Sequence, residues 1–459
     1  MRKTTLFFTL LFALLLGARL CHVHILWEGD DYPLAAAQQL EHGKVLYRDI
    51  WFDKPPLLPL LYLTFGAMAG WPLRVAGALY ALLACWLAYA FARDQWSERE
   101  GLWAAGLLGF FLVFDIPSSV IPVASDLLMV APHLAAVWLA SRRKPFWAGA
   151  VAAIAFWISP KGVFVGMACL LFDPAGVLWM AAGFLTVSGM MVGGLAGFGA
   201  LGAYWEEVWK WGRLYAASPF VDSPWHNGLL RTVNWVGFHI AAVAAAAVFY
   251  WKTPRKAWIG WLILSFMGVA AGLRFFPRYY FLLLPVVVMA AARGFTLIGR
   301  RRELVALLLL IPATRFGPAY LTAVRDPLWR DTAMDRDSRH AADLLRPRER
   351  SGDTLLVWGY RPEMYVYADL PAATMYIDTQ PLSGVPADRH LTSSESLERQ
   401  ECARRRAEIV KSTPSFILDG LGIYNPRLAL TAYPELAAWL AHYREIGRTS
   451  GTILYQKID

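Results

Sequence analysis

Long apolar stretches recur along roughly the first 320 residues of this chain, each closed by a short polar or basic connection. A helix needs roughly 20 mostly apolar residues to cross a bilayer, and fewer when packed inside a bundle. On that basis we read about 11 spans, near residues 5–26, 73–92, 101–116, 124–141, 145–158, 161–172, 175–200, 232–251, 257–273, 279–297 and 304–320. The short 145–158 and 161–172 elements also read as one hairpin that does not fully cross. Two polar stretches interrupt the series, residues 28–72 and 201–231, and both become outer loops. The first contains LLPLLYLTFGAMAG (57–70), apolar but bounded by prolines, which reads as a re-entrant or interfacial helix. The second contains YWEEVWKWGRLYAASPFVDSPWHNG (204–228), whose mix of Trp, Tyr and charge suits a helix at headgroup level.

From about residue 322 the pattern changes. DTLLVWGY (353–360) and PSFILDG (414–420) read as buried strands, RHAADLLRPRER (339–350) and PELAAWLAHYREIG (434–447) as helices, and TSGTILYQKID as a terminal strand or hairpin. The expected fold is therefore mainly α: a polytopic membrane helix bundle over residues 1–320, then an extramembrane α/β domain over 321–459. No internal repeat is visible.

Composition agrees with lipid as the main solvent. The chain is 57% hydrophobic and 17% charged, against about 25% charged in soluble domains. Its net charge of +9 is unevenly placed, with 26 Lys/Arg against 16 Asp/Glu in residues 1–321 and 18 against 19 beyond. The excess thus reports membrane topology and excludes nucleic acid as the natural partner. Arg2-Lys3, Arg93/Arg99, Arg142-Arg143-Lys144, Lys252/Arg255/Lys256 and Arg293/Arg300-Arg301-Arg302 fall on alternate connections. All become cytoplasmic with the N-terminus inside, and the tail is then outside. The start, MRKTTLFFTLLFALLLGARL, has the layout of a signal peptide, but Ala18-Arg19-Leu20 is a poor cleavage site. An uncleaved signal anchor in a bacterial inner membrane, with a periplasmic or extracellular tail, fits both features. Cys21, Cys85, Cys169 and Cys402 have no metal or redox spacing.

The chemistry concentrates in WEGDDYPLAAAQQLEHGKVLYRDIWFDKPPL (27–57). Asp30 and Asp31 follow the first span directly. A carboxylate at that boundary, partly desolvated, makes a better base for a hydroxyl acceptor. The competing reading is that both cap the helix YPLAAAQQLEHG. Asp53-Lys54-Pro55-Pro56 sets a cation before a rigid turn, where it can meet a phosphate, and Arg74 heads the next span. Singly each is an ordinary interfacial residue. Together they place a base and cations on one outer face.

The pattern GDD-Y…GKVLYRD…FDKPPL, with an Arg at the head of the following span, resembles the GT-C glycosyltransferase superfamily, nearest to bacterial protein O-mannosyltransferase and aminoarabinose-transferase types. Three further segments resemble that family in order: VASDLLMVAPHLAAVWLA (123–140) with Asp126, FWISPKGVFVG (156–166) with Lys161-Gly162, and RFFPRYYFLLLPVVVMAAA (274–292) with Arg278, Tyr279 and Pro285. The resemblance covers residues 1–320. It implies an inverting transferase that moves sugar from a polyprenyl-phosphate donor to a glycan, lipid or protein acceptor at the outer membrane face. Asp30 matches the catalytic Asp, Asp31 its neighbouring acid, Lys54 the Lys of the Lys-Pro turn, and Arg74 the following Arg. Phosphate contact by Lys54, Arg74, Lys161, Arg274, Arg278 and Tyr279 is expected from charge and position. Asp126 and Asp53 are candidates for a supporting role or for a divalent cation, as is Asp30 paired with Asp126; no other cofactor is implied. Asp31 where many relatives have Glu, and Ser159-Pro160 before Lys161, are departures that blur the subtype.

Other residues carry less. Glu206-Glu207 read as solvated helix acids or as acceptor contacts, His133 as a core histidine, and Asp369, Asp378 and Asp388 lack ligand spacing. Two other functional classes stay open from the residues alone. One is a transporter or flippase of lipid-linked sugars, which the missing repeat disfavours. The other is an assembly scaffold whose outer tail binds partners.

Overall fold

A computed structural model describes residues 2–115 and 121–458. Among the described residues, four helical runs are long and apolar enough to cross a membrane: Lys3–Leu20, Trp71–Gln95, Pro174–Gly197 and Leu284–Arg325. Shorter apolar helices, Ser125–Ser141, Pro145–Ile158, Gly162–Phe172 and Lys256–Ala270, pack among them. The helix Val177–Gly197 carries no charge and leaves Leu178, Trp179, Leu185 and Met190 exposed. Such a surface is untenable in water and natural in lipid. The fold is a polytopic membrane bundle.

Predicted and observed elements differ where polar residues lie inside the bundle. The expected 232–251 span is broken: Pro224–Phe238 and Ile240–Lys252 meet at 92°. His239 occupies the joint, its Nδ1 2.8 Å from the Trp235 carbonyl oxygen and its Nε2 2.6 Å from Asp115 Oδ1. The buried Asp115 carboxylate lies beside the imidazole at the bend. The first helix ends at Leu20 rather than continuing to 26, and the expected 101–116 span is the helix Glu98–Phe111 followed by turns; Ile116 lies outside the described residues.

Leu284–Arg325 is not one rod. Arg293 and Thr296 bond Glu100 at the start of the Glu98–Phe111 helix (2.5 and 2.8 Å), whereas Tyr320 donates to the Val113 carbonyl beyond its other end at 2.6 Å. Those anchors are about 20 Å apart at 1.5 Å per residue. Thr296 and Tyr320 are 24 residues apart, about 36 Å as a straight helix, so the chain bends between them, and Gly299 (φ +74°) lies in that stretch. Close helix packing needs small residues: a Cβ on Gly149 would meet the Met180 carbonyl oxygen at 1.9 Å.

The first long loop, 28–72, contains the helices Asp31–Glu41 and Leu57–Leu63, and the second, 201–231, runs as consecutive helical turns from Leu201 to Ala217. Beyond Ala333–Leu345 a four-stranded sheet forms from β1 (Leu355–Trp358), β2 (Phe416–Asp419), β3 (Tyr443–Arg448) and β4 (Ile453–Lys457), in the order β1-β2-β4-β3. β1 and β2 are parallel, and β4 is antiparallel to β2 and β3. The helix expected over 434–447 stops at Leu440, and its second half is β3. Pairing with β4 across a short turn overrides the local helical pattern, as tertiary pairing commonly does.

The tail is seated on these two loops. Trp51 and Trp211 share a core with Leu356, Trp358, Ile417 and Leu436. The Trp51 amide donates to the Met375 carbonyl at 2.7 Å, and Gln39 and residues 370–372 exchange two hydrogen bonds at 3.3 and 2.7 Å.

Candidate active site

The two adjacent acids face different surroundings. Asp30 is completely buried. Its Oδ2 accepts from Arg74 Nη1 at 2.9 Å, and its Oδ1 accepts from the Val123 amide at 2.6 Å and the Tyr62 hydroxyl at 3.2 Å. Arg74, itself buried, also donates to the Ile25 carbonyl. Asp30 makes no side-chain cap bond to the helix that follows, so capping does not explain it. This pair pins three places together: the end of the first loop turn, the head of the Trp71–Gln95 helix and the strand-like backbone at Val123.

Asp31 is partly exposed, and its Oδ1 accepts from the Gly29 amide at 2.9 Å and the Tyr32 amide at 2.8 Å. Burial, and then the Glu363 carboxylate of the tail, raise its pKa. Gly29 holds φ +106°, and a Cβ there would lie 2.5 Å from Arg278 Nη1. Only glycine lets the guanidinium pass so close to the acidic turn.

A cationic cluster faces Asp31. Arg278 bonds Glu28 through Nη2 to Oε1 and through Nη1 to the backbone oxygen, both at 3.0 Å. It lies within electrostatic reach of Asp31 and Asp126. Lys161 caps the Gly162–Phe172 helix with its Nζ 2.9 Å from the Tyr279 ring centroid. That ammonium is buried and has no hydrogen-bond partner among the described residues. Asp126 and Arg274 are the charges acting on it. Arg274 is buried, stacks 3.6 Å over Tyr215, donates to the Ser218 carbonyl at 3.0 Å, and pairs with Asp388 at 2.8 Å. The fold thus brings Asp31, Asp126, Lys161, Arg274, Arg278 and Tyr279 together from four separate parts of the sequence.

Lys54 and Asp53 form a separate pair at 2.8 Å, with Lys54 5.7 Å over the Tyr32 ring and Asp53 accepting from Gln380 at 3.3 Å. Asp378 lies beside them, its pKa pushed up to about 7 by burial and then by Asp53. Glu207 is buried rather than solvated, accepts from the Phe52 amide at 2.8 Å, and is pushed up to about 9 by burial. Among the described residues no group of three or more His, Cys, Asp and Glu is arranged to hold a metal ion. Asp30 accepts from Arg74, and Asp126 lies within electrostatic reach of Lys161 and Arg278.

Four site residues carried no sequence signal: Tyr62 within an apolar helix, Glu28, Ser218, and Asp388 in the tail. Asp388 also accepts from the Tyr215 hydroxyl at 3.2 Å, and Arg389 donates to Ser218 at 3.0 and 3.1 Å.

An apolar bundle, a buried cationic cluster and a tail packed against the long loops make a fold that solved membrane-protein structures share. Among solved structures, the chain is similar to ArnT from Cupriavidus metallidurans bound to undecaprenyl phosphate, at 13% identity over 99% of this chain and 98% of that one, with a TM-score of 0.63. It is also similar to the oligosaccharyltransferase of Archaeoglobus fulgidus in the apo form, at 15% identity over 98% of this chain and 74% of that one, TM-score 0.51. A third match is the archaeal oligosaccharyltransferase AglB from Archaeoglobus fulgidus with an inhibitory peptide and a dolichol-phosphate, at 12% identity over 98% and 74%, TM-score 0.50. At these identities the likeness is one of fold. No protein-family model and no curated protein matches the chain.

Proposed function

We propose that this protein transfers a sugar from a polyprenyl-phosphate carrier to a hydroxyl acceptor at the outer face of the membrane, with inversion. The observation that carries the reading is Lys161: its buried Nζ has no hydrogen-bond partner among the described residues, lies 2.9 Å from the Tyr279 ring centroid, and feels the charges of Asp126 and Arg274. Buried N–H donors left without an acceptor are costly, and a ligand oxygen would complete them. The structures of ArnT with undecaprenyl phosphate and of AglB with dolichol-phosphate favour a polyprenyl phosphate as that ligand.

In the step we propose, the acceptor oxygen attacks the anomeric carbon and the bond from that carbon to the phosphate oxygen breaks. The acceptor proton passes to Asp31, whose raised pKa suits a base that must hold it. Lys161, Arg274 and Arg278 receive the charge that grows on the departing phosphate. Asp30 and Arg74 act as positioning residues that hold the acidic turn against the Val123 backbone. Lys54, neutralised by Asp53, is left outside the phosphate set. Residues 1–320 form the transferase unit, and residues 321–459 form an outer domain whose Asp388 and Glu363 complete its rim.

The test is transfer from radiolabelled polyprenyl-phosphate sugars by purified protein in nanodiscs, with Lys161→Met and Asp31→Asn beside wild type. Wild-type transfer that falls at least a hundredfold in each variant supports the reading. Full activity in Lys161→Met refutes it.

A further inference from the structure

A second group of polar nitrogens lies on the Arg74 side of Asp30. Arg19, in the last turn of the first helix, is 3% exposed, and His22 is 1% exposed. Among the described residues, Arg19 Nε and Nη2, both ring nitrogens of His22, the Trp27 indole nitrogen and Arg74 Nε have no hydrogen-bond partner. Arg19 keeps only one long bond, 3.4 Å to the Leu15 carbonyl. The His22 ring lies 5.6 Å from Trp27 and 5.3 Å from Tyr320, and Arg74 acts electrostatically on both Arg19 and His22. The Tyr320 hydroxyl is already given to Val113.

Charge makes the group stand out further. Both oxygens of Asp30 are taken, by Arg74 on one side and by Val123 and Tyr62 on the other. Two buried guanidiniums therefore share one carboxylate, and one positive charge is left over. Buried polar groups are almost always partnered, and a buried uncompensated charge is expensive. Water could accept from single donors but would leave the charge. The missing partner is an anion with several acceptor oxygens, which is the chemistry that a guanidinium fork and neighbouring N–H donors match. Arg19 is one residue from the end of the first helix, at the end of the apolar run Lys3–Leu20 that is long enough to cross a membrane.

We infer that Arg19, His22, Trp27 and the free edge of Arg74 form a second anion site that takes the phosphate headgroup of an anionic lipid. It is separate from the Lys161 cluster and does not depend on the transfer reaction. One role it would serve is to fix a lipid beside the Asp30 keystone, on the opposite face from the catalytic turn.

The experiment is native mass spectrometry of the full chain released from phosphatidylcholine nanodiscs doped with phosphatidic acid, with calorimetry of inorganic phosphate alongside. Wild type, Arg19→Met, His22→Phe and Lys161→Met are compared, each checked for retained helicity. We expect phosphatidic acid retention to weaken at least tenfold in Arg19→Met and in His22→Phe, and to survive Lys161→Met. Retention unchanged in both of the first two variants overturns the site, and shows that water fills it. Arg19-dependent binding of inorganic phosphate without lipid retention overturns the lipid as occupant and assigns a soluble phosphate group. Because Lys161→Met tests the transfer site alone, failure of one reading is distinguishable from failure of the other.

Discussion

Asp30→Asn separates a structural keystone from a catalytic base. The substitution keeps the side-chain volume and one acceptor oxygen but removes the charge opposite Arg74, whose side chain is 1% exposed. Removing one member of a buried pair costs about 3–5 kcal/mol, because the other charge is stranded. If only a neutral hydrogen bond were at stake, the cost would be about 1 kcal/mol. Asp30→Ala adds an orphaned donor at the Val123 amide, about 1–3 kcal/mol, while the Tyr62 hydroxyl keeps the Val123 carbonyl as its acceptor. The double variant Asp30→Asn/Arg74→Gln removes both charges and should recover most of the loss, leaving a coupling energy of about 2 kcal/mol or more. The assay is loss of far-ultraviolet helicity along an SDS titration in mixed micelles. Asp31→Asn, measured beside it, should unfold within about 1 kcal/mol of wild type, because its bonds are to local backbone amides, and yet lose transfer. If Asp30→Asn unfolds like wild type while transfer disappears, Asp30 is the chemical group and the assignment of roles is wrong.

Gly29→Ala places a methyl 2.5 Å from Arg278 Nη1 on a backbone at φ +106°; transfer should fall about tenfold or more, from strain of about 1–2 kcal/mol, with helicity unchanged. Asp388→Ala frees the buried Arg274 Nε and should change the KM for the lipid donor more than kcat, which donor titrations would report. Asp378 gives a pH signature. Its folded pKa is raised to about 7 by burial and Asp53, so its neutral form favours the folded tail. That contribution is fully present below the ordinary carboxylate range and is lost as pH rises through about 7. Thermal melting of wild type should therefore drop between pH 5 and 8 by more than that of Asp378→Asn, scanned at roughly half-unit intervals.

The apolar pattern alone was enough to declare a membrane bundle, because span length and lipid exposure depend on composition rather than on partners. The motif 27–57 and the later basic segments likewise marked charged residues that the fold brings near one another. The break at His239 was not legible, and the Asp115 carboxylate beside it is remote in sequence. Nor was the strand at 443–448, whose pattern suits a helix until β4 offers a partner. Glu207 looked like a solvated acid and proved buried, because the tail and the Trp51 loop cover it.

The division of labour within the acidic turn belongs to the tertiary structure. Asp30 and Asp31 are equivalent letters in sequence, but only the fold delivers Arg74, Tyr62 and the Val123 amide to one and Glu363 and Arg278 to the other. Ion pairs and orphaned donors are properties of distance in three dimensions, and no spacing along the chain encodes them. The sequence by itself determined that acids and cations meet at a membrane face. Which acid is satisfied, which cation is left waiting, and that a tail carboxylate reaches Arg274 were decided by packing, because burial and charge compensation exist only once the chain has closed around them.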